Sequence, residues 1–246
     1  MHESEIEGTP AQVFQAVTTG TSGWMWPMEI EPKLGGEGPF GSTITAWDPA
    51  HRFANRLEGE GGFFNELGYD IRELANGTTW LKYTHKGVFF ADWDNQYNAA
   101  TQHTAFYLHT LGQYVQYFSG RQAAFAQLEG PEASGAPDAF ETVKKALGIA
   151  DGGAGGHLSL TIAGLGKVEA TVDYLDPNFI GLRTSDTMIR FFGRNAFGAL
   201  VGISVHLFAD DDDSNGGAAD GGDAVGGDAD AAGAAWEEWL KRQFPQ

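Results

Sequence analysis

The side chains best suited to chemistry in this sequence are polar-tipped aromatics in two short runs. Phe63, Asn65, Leu67, Tyr69 and Ile71 alternate with polar or small residues in one run, and Leu81, Tyr83 and His85 alternate with Trp80, Lys82 and Thr84 in the other. A period of two puts each set on one face of a strand. An imidazole beside phenols on a shared face can move a proton or hydrogen-bond a bound molecule. Other chemistries lack their parts. The chain has no Cys, which excludes thiolate nucleophiles, disulfides and thiolate metal sites. No G-x-S-x-G elbow occurs, and the glycine cluster Gly152–Gly156 lacks the lysine of a phosphate-binding loop. His103 and His109 are six residues apart, off one helix face, and no H-E-x-x-H pattern accompanies them, so no metal site is expected. The GGD repeats in 210–230 lack the regular spacing and apolar residues of calcium-binding repeats. No cofactor is expected.

The elements that would position these residues can be read in turn. His2–Glu7 reads as a strand, and Thr9 with Pro10 reads as the capped start of a short helix carrying Val13, Phe14 and Val17. Strand-like runs follow at Ser42–Trp47, Arg52–Glu58, Phe63–Ile71 and Thr78–His85, the last two joined by the turn pair Asn76-Gly77. From Asn95 to Gly120 there is no Asp, Glu, Lys or Arg, while Ala100, Thr104, Tyr107, Leu111, Tyr114 and Phe118 recur at helical steps. A long helix without charges is expected to be covered on more than one side.

Beyond it, PEASGAP at Pro131–Pro137 reads as a linker. The second segment opens with a helix near Ala139–Leu147. Strands are expected through Leu158–Ile162, Val168–Tyr174, Phe179–Arg183, Thr187–Phe192 and Val201–Leu207, and Trp236, Trp239, Leu240 and Phe244 mark one face of a terminal helix. Residues 210–230 are Asp-, Gly- and Ala-rich with one Val, and are expected to be disordered. The segments echo each other, with Phe90-Ala91-Asp92 and Phe208-Ala209-Asp210 at the same point of the order, which suggests a degenerate duplication. This gives a domain at 1–130, a linker at 131–137, and a second domain at 138–246 that lacks a clear opening strand.

The formal net charge is −18, and the eight Asp of 210–230 account for less than half of it. With no basic cluster, binding to nucleic acid or anionic lipid by phosphate neutralisation is not expected. The N-terminus lacks the basic start and apolar run of a secretory signal, and no apolar stretch is long enough to span a membrane. A soluble, cytoplasmic protein is expected.

On these residues the first segment resembles the START-like, or SRPBCC, superfamily, in the branch related to the activator of the heat-shock chaperone ATPase. The likeness rests on IEGTPAQVFQAVT followed by Gly23-Trp24, on Trp47-Asp48-Pro49 with Arg52-Phe53, and on Asn76-Gly77-Thr78-Thr79 leading to His85-Lys86-Gly87, Trp93 and the long helix. It covers about 1–125, and the second segment looks related through Phe179–Phe192, His206-Leu207-Phe208 and Trp236–Leu240. The resemblance implies an α+β helix-grip fold: a curved antiparallel sheet wrapped around a long C-terminal helix, with a shortened second copy of similar architecture. It also implies a cavity between sheet and helix. The expected wall is Trp24, Trp26, Phe53, Tyr69, Tyr83, His85, His103 and Tyr107.

These readings favour a binding protein for small apolar, aromatic or lipid-like ligands. A co-chaperone-like or regulatory module, engaging a protein partner or a second copy of itself, is the first alternative. A cyclase- or hydratase-type enzyme using His85 is the second.

Overall fold

A computed structural model describes residues 1–87, 93–149, 154–209 and 221–245; for 93–97 and 221–228 it describes the backbone alone. The chain forms two compact units, Met1–Gly120 and Arg121–Gln246.

The first unit opens with β1 (His2–Ile6) and α1 (Pro10–Val17). Thr9 and Gln12 close a capping box at the start of α1, and Pro10 fits its first turn, where an N–H would have no partner. Strands β2 (Thr43–Asp48), β3 (Arg52–Glu58), β4 (Phe64–Glu73) and β5 (Thr79–Gly87) follow, then α2 (Trp93–Phe118). The strands form one antiparallel sheet in the order β1-β5-β4-β3-β2, so the first strand closes against the last. A bulge between Ile44 and Ala46 bends the β2 edge. The β4–β5 turn uses Gly77 at φ 85°, while Asn76 keeps a negative φ and bonds the Thr78 N–H and hydroxyl through its side chain. The expected Asn-Gly pair is therefore a longer turn than a two-residue hairpin. On α2, Phe106, Leu108, Leu111, Tyr114, Val115 and Phe118 are buried, and exposure on 98–118 is confined to Asn98, Ala105, Gln116 and Tyr117.

The second unit repeats this order with one more strand. It comprises β6 (Ala123–Glu129), α3 (Ala139–Ala146), β7 (His157–Ile162), β8 (Gly166–Leu175), β9 (Phe179–Arg183), β10 (Thr187–Phe192), β11 (Gly202–Phe208) and α4 (Gly221–Gln243). Its antiparallel sheet runs β6-β11-β10-β9-β8-β7, again pairing first strand with last. Its interior is filled by Phe140, Val143, Ile180, Leu182, Ile189, Phe191, Ile203, Val205, Trp236, Trp239 and Leu240 among others.

Three expectations are corrected here. The division falls at Gly120–Arg121, because 123–129 pairs with β11 and belongs to the second sheet; Pro131–Pro137 is an internal turn with Ser134 fully buried. The second unit does not lack an opening strand, since β6 and α3 supply it. Alternation in Ala123–Glu129 was masked because its inward residues are mostly Ala. The acidic stretch is not disordered throughout: α4 begins at Gly221. Its small residues Ala229, Ala232 and Ala235 are buried, and a Cβ on Gly233 would meet Ala126 at 3.0 Å, so the helix lies close on β6. Residues 88–92 and 210–220 lie outside the described residues, and with them Phe90-Ala91-Asp92 and Asp210 of the Phe-Ala-Asp echo. Among the described residues no helix is long and apolar enough to cross a membrane.

Candidate functional site

Strand register assembles the site. Trp47, Phe53, Tyr69 and Tyr83 form one row across β2, β3, β4 and β5, and Ile44, Asn55, Leu67 and His85 form the next. Same-face neighbours across paired strands lie within reach of aromatic side chains. Phe14 meets Trp47 at 5.1 Å between centroids, Trp47 meets Phe53 at 6.0 Å, Phe53 stacks on Tyr69 at 6.1 Å, and Tyr69 meets Tyr83 at 5.1 Å. His85 stands 6.4 Å beyond Tyr83.

Between this floor and α2 lies a hollow of about 280 Å³. Trp24, Trp26, Phe53, Tyr69, Tyr83, His85, His103 and Tyr107 all line it, so the structure brings the eight sequence-predicted residues around one hollow. Ala100, Thr104 and Leu108 complete the α2 side. The segment between α1 and β2 supplies the rim through Met25, Met28, Ile30, Pro39 and Phe40. A second hollow of about 360 Å³ shares Tyr83, His85, Ala100 and Thr104 with the first and reaches His2 and Lys86. Among the described residues, no Asp, Glu, Lys or Arg lines the first hollow.

Individual residues play different parts. Trp24 is buried and its indole donates to the Ala16 carbonyl at 2.9 Å, which ties the rim to the end of α1. The Met28 N–H donates to the Thr21 hydroxyl at 3.1 Å and fixes the same segment. Gly23 leaves the room taken by the Tyr114 ring, where a Cβ would overlap it. Trp26 packs edge-on to Tyr107 at 5.8 Å, and Phe40, 74% exposed with φ 59°, lies 6.3 Å from Trp26 at the mouth. His103 bonds through Nδ1 to the Ala99 carbonyl at 2.8 Å, so that nitrogen carries the proton.

His85 Nε2 lies 2.6 Å from Asn65 Oδ1, which requires the proton on Nε2. Burial pushes the imidazole pKa down, and the chain's N-terminal ammonium adds to the effect, so His85 is neutral at pH 7. Burial pushes the Tyr83 phenol up to about 12 and holds Tyr69 well above its ordinary value, with Tyr83 adding to the shift at Tyr69. The site therefore presents neutral hydrogen-bonding groups.

Sequence reasoning missed Asn55, Asn65 and the rim. Both asparagines are in phase with the residues it did pick, Phe53 and Tyr69, so the signal was present. The rim has no periodicity and carried none beyond Trp24 and Trp26.

A sheet whose first and last strands pair, folded over a long closing helix with an aromatic hollow between, defines the helix-grip fold of START-like (SRPBCC) proteins. No known family profile and no curated protein matches the chain. Solved structures similar to it include the Aha1 dimer from Colwellia psychrerythraea, at 19% identity and TM-score 0.40 over 48% of this chain and 96% of that one. DynU16, a protein of the dynemicin biosynthetic locus, is 18% identical with TM-score 0.36 over 98% of both chains. The di-domain ARO/CYC StfQ of the steffimycin biosynthetic pathway is 11% identical with TM-score 0.33, over 97% of this chain and 98% of that one.

Proposed function

We propose that the protein binds small apolar or aromatic, lipid-like molecules in the hollow of its first unit. One observation carries this reading: a hollow of about 280 Å³ is walled mainly by aromatic and aliphatic side chains, with no charged residue among its described lining residues. Apolar area transferred from water into such a wall gains roughly 25 cal/mol per Å². The few polar tips are placed to orient a guest.

Titration with the neutral fluorophore N-phenyl-1-naphthylamine tests it. Saturable binding with blue-shifted emission is expected. Leu67→Trp and Ala100→Trp, which place bulk on opposite walls, are each expected to weaken binding by about tenfold or more. Unsaturable binding, or full affinity in both filled variants, overturns the reading.

His85 supports a second reading, as an acid–base catalyst. Its neutral ring, oriented by Asn65 and adjacent to the Tyr83 phenol, is an arrangement able to move a proton in cyclisation or hydration chemistry. Under this reading His85→Ala abolishes turnover of a bound substrate, whereas under pure binding it alters affinity alone.

A further inference from the structure

The hollow has more hydrogen-bond donors than its own walls use, and this bears on which guest it takes. Tyr69 is only 7% exposed and Tyr83 is half-buried, both line the hollow, and among the described residues neither phenol hydroxyl has a hydrogen-bond partner. The indole N–H of Trp26 is buried on the rim without an acceptor. Asn55, 5% exposed on the same wall, adds two amide N–H groups and one oxygen with no partner among the described residues. Asn65 Oδ1 is engaged by His85, and the Ser42 hydroxyl, buried on the same wall without a partner among the described residues, can donate as well as accept. An indole can only donate, and a buried donor without an acceptor is costly.

A hydrocarbon guest would leave these donors unmet. A carboxylate would meet them but bring a charge into a wall with no Lys or Arg among its described residues, where its desolvation has no compensation. A carbonyl oxygen has two lone pairs and no charge, and Tyr69 and Tyr83, with ring centroids 5.1 Å apart, stand side by side on the floor to donate. We propose that the hollow selects uncharged aromatic molecules bearing a carbonyl oxygen, over both plain hydrocarbons and carboxylates, with Tyr69 and Tyr83 as the specificity-determining donors. This rests on the binding reading above and adds the chemical class of the guest.

Three probes of nearly equal shape separate the alternatives: 2-ethylnaphthalene, 2-acetylnaphthalene and 2-naphthoate, each titrated against the full chain by tryptophan fluorescence. The ketone is expected to bind about tenfold tighter than the hydrocarbon and the carboxylate. Tyr69→Phe and Tyr83→Phe, which keep the ring, are each expected to lower ketone affinity about fivefold or more and leave the hydrocarbon unchanged. Equal affinity for ketone and hydrocarbon, or naphthoate binding as tightly as the ketone, overturns the selectivity and leaves the cavity reading standing. If none of the three binds, both fall.

Discussion

A phenol in an apolar wall is stable there only while it keeps its proton. Burial raises the Tyr83 pKa to about 12, whereas an exposed phenol in the unfolded chain titrates near 10. Between those values the unfolded state has lost its proton and the folded state has not. Stability from this group is thus whole below about pH 10 and is lost as pH rises toward 12. Tyr83→Phe removes the group that titrates. Denaturation at pH 9 and pH 11.5 should show the variant losing about 2 kcal/mol less stability than the parent over that interval. Parallel losses would mean that Tyr83 is solvated and that the hollow is wet at its floor. Tyr69 titrates in both proteins, and losing the Tyr83 contribution to its raised pKa acts in the same direction.

At the scale of elements, legibility followed the strength of the period. Arg52–Glu58, Phe179–Arg183 and Thr187–Phe192 match β3, β9 and β10 to the residue, because a bulky apolar or β-branched side chain stands at, or one residue inside, both ends of each run. Tyr69, Tyr83 and His85 were legible as one face because alternation fixes the register. What stayed hidden was built from small residues. Alanines on β6 and in the middle of α4 let helix and sheet approach closely, and a pattern of Ala and Gly carries little hydrophobic contrast.

Also illegible was a charge pair inside the second sheet. On β8 the register shifts between Val172 and Tyr174, and the extra residue, Asp173, turns to meet Arg190 of β10. The guanidinium Nη1 donates to both carboxylate oxygens at 2.9 Å, and both side chains are buried. Gly181 of β9 lies between them, where any Cβ would overlap both groups. Removing one partner of such a pair costs more than replacing both, because the survivor is left charged and buried. Arg190→Ala is expected to destabilise the protein by about 3–5 kcal/mol, and Arg190→Met with Asp173→Leu to recover most of that loss. Urea denaturation of the three proteins decides it, and a double variant as unstable as the single would show that the pair contributes more than its mutual neutralisation.

At the scale of the whole molecule, the dominant quantity is the net charge of −18. Like charges gathered by folding repel, and the repulsion grows as ions are withdrawn. The screening length falls from about 30 Å at 0.01 M salt to about 3 Å at 1 M. The melting temperature should therefore rise by several degrees as NaCl increases from about 0.01 M, with most of the gain complete by about 0.3 M, where screening already acts within about 6 Å. A rise that continued linearly to molar salt would instead signal a general salting effect on apolar surface. The eight Asp of 210–230 offer a way to locate the repulsion. Replacing all eight with Asn leaves an excess of negative charge over the rest of the chain, so a smaller but still saturating salt response is expected if the repulsion is shared by the folded body. Loss of the response in that variant would place the repulsion in the acidic stretch and leave the two packed units electrostatically unstrained.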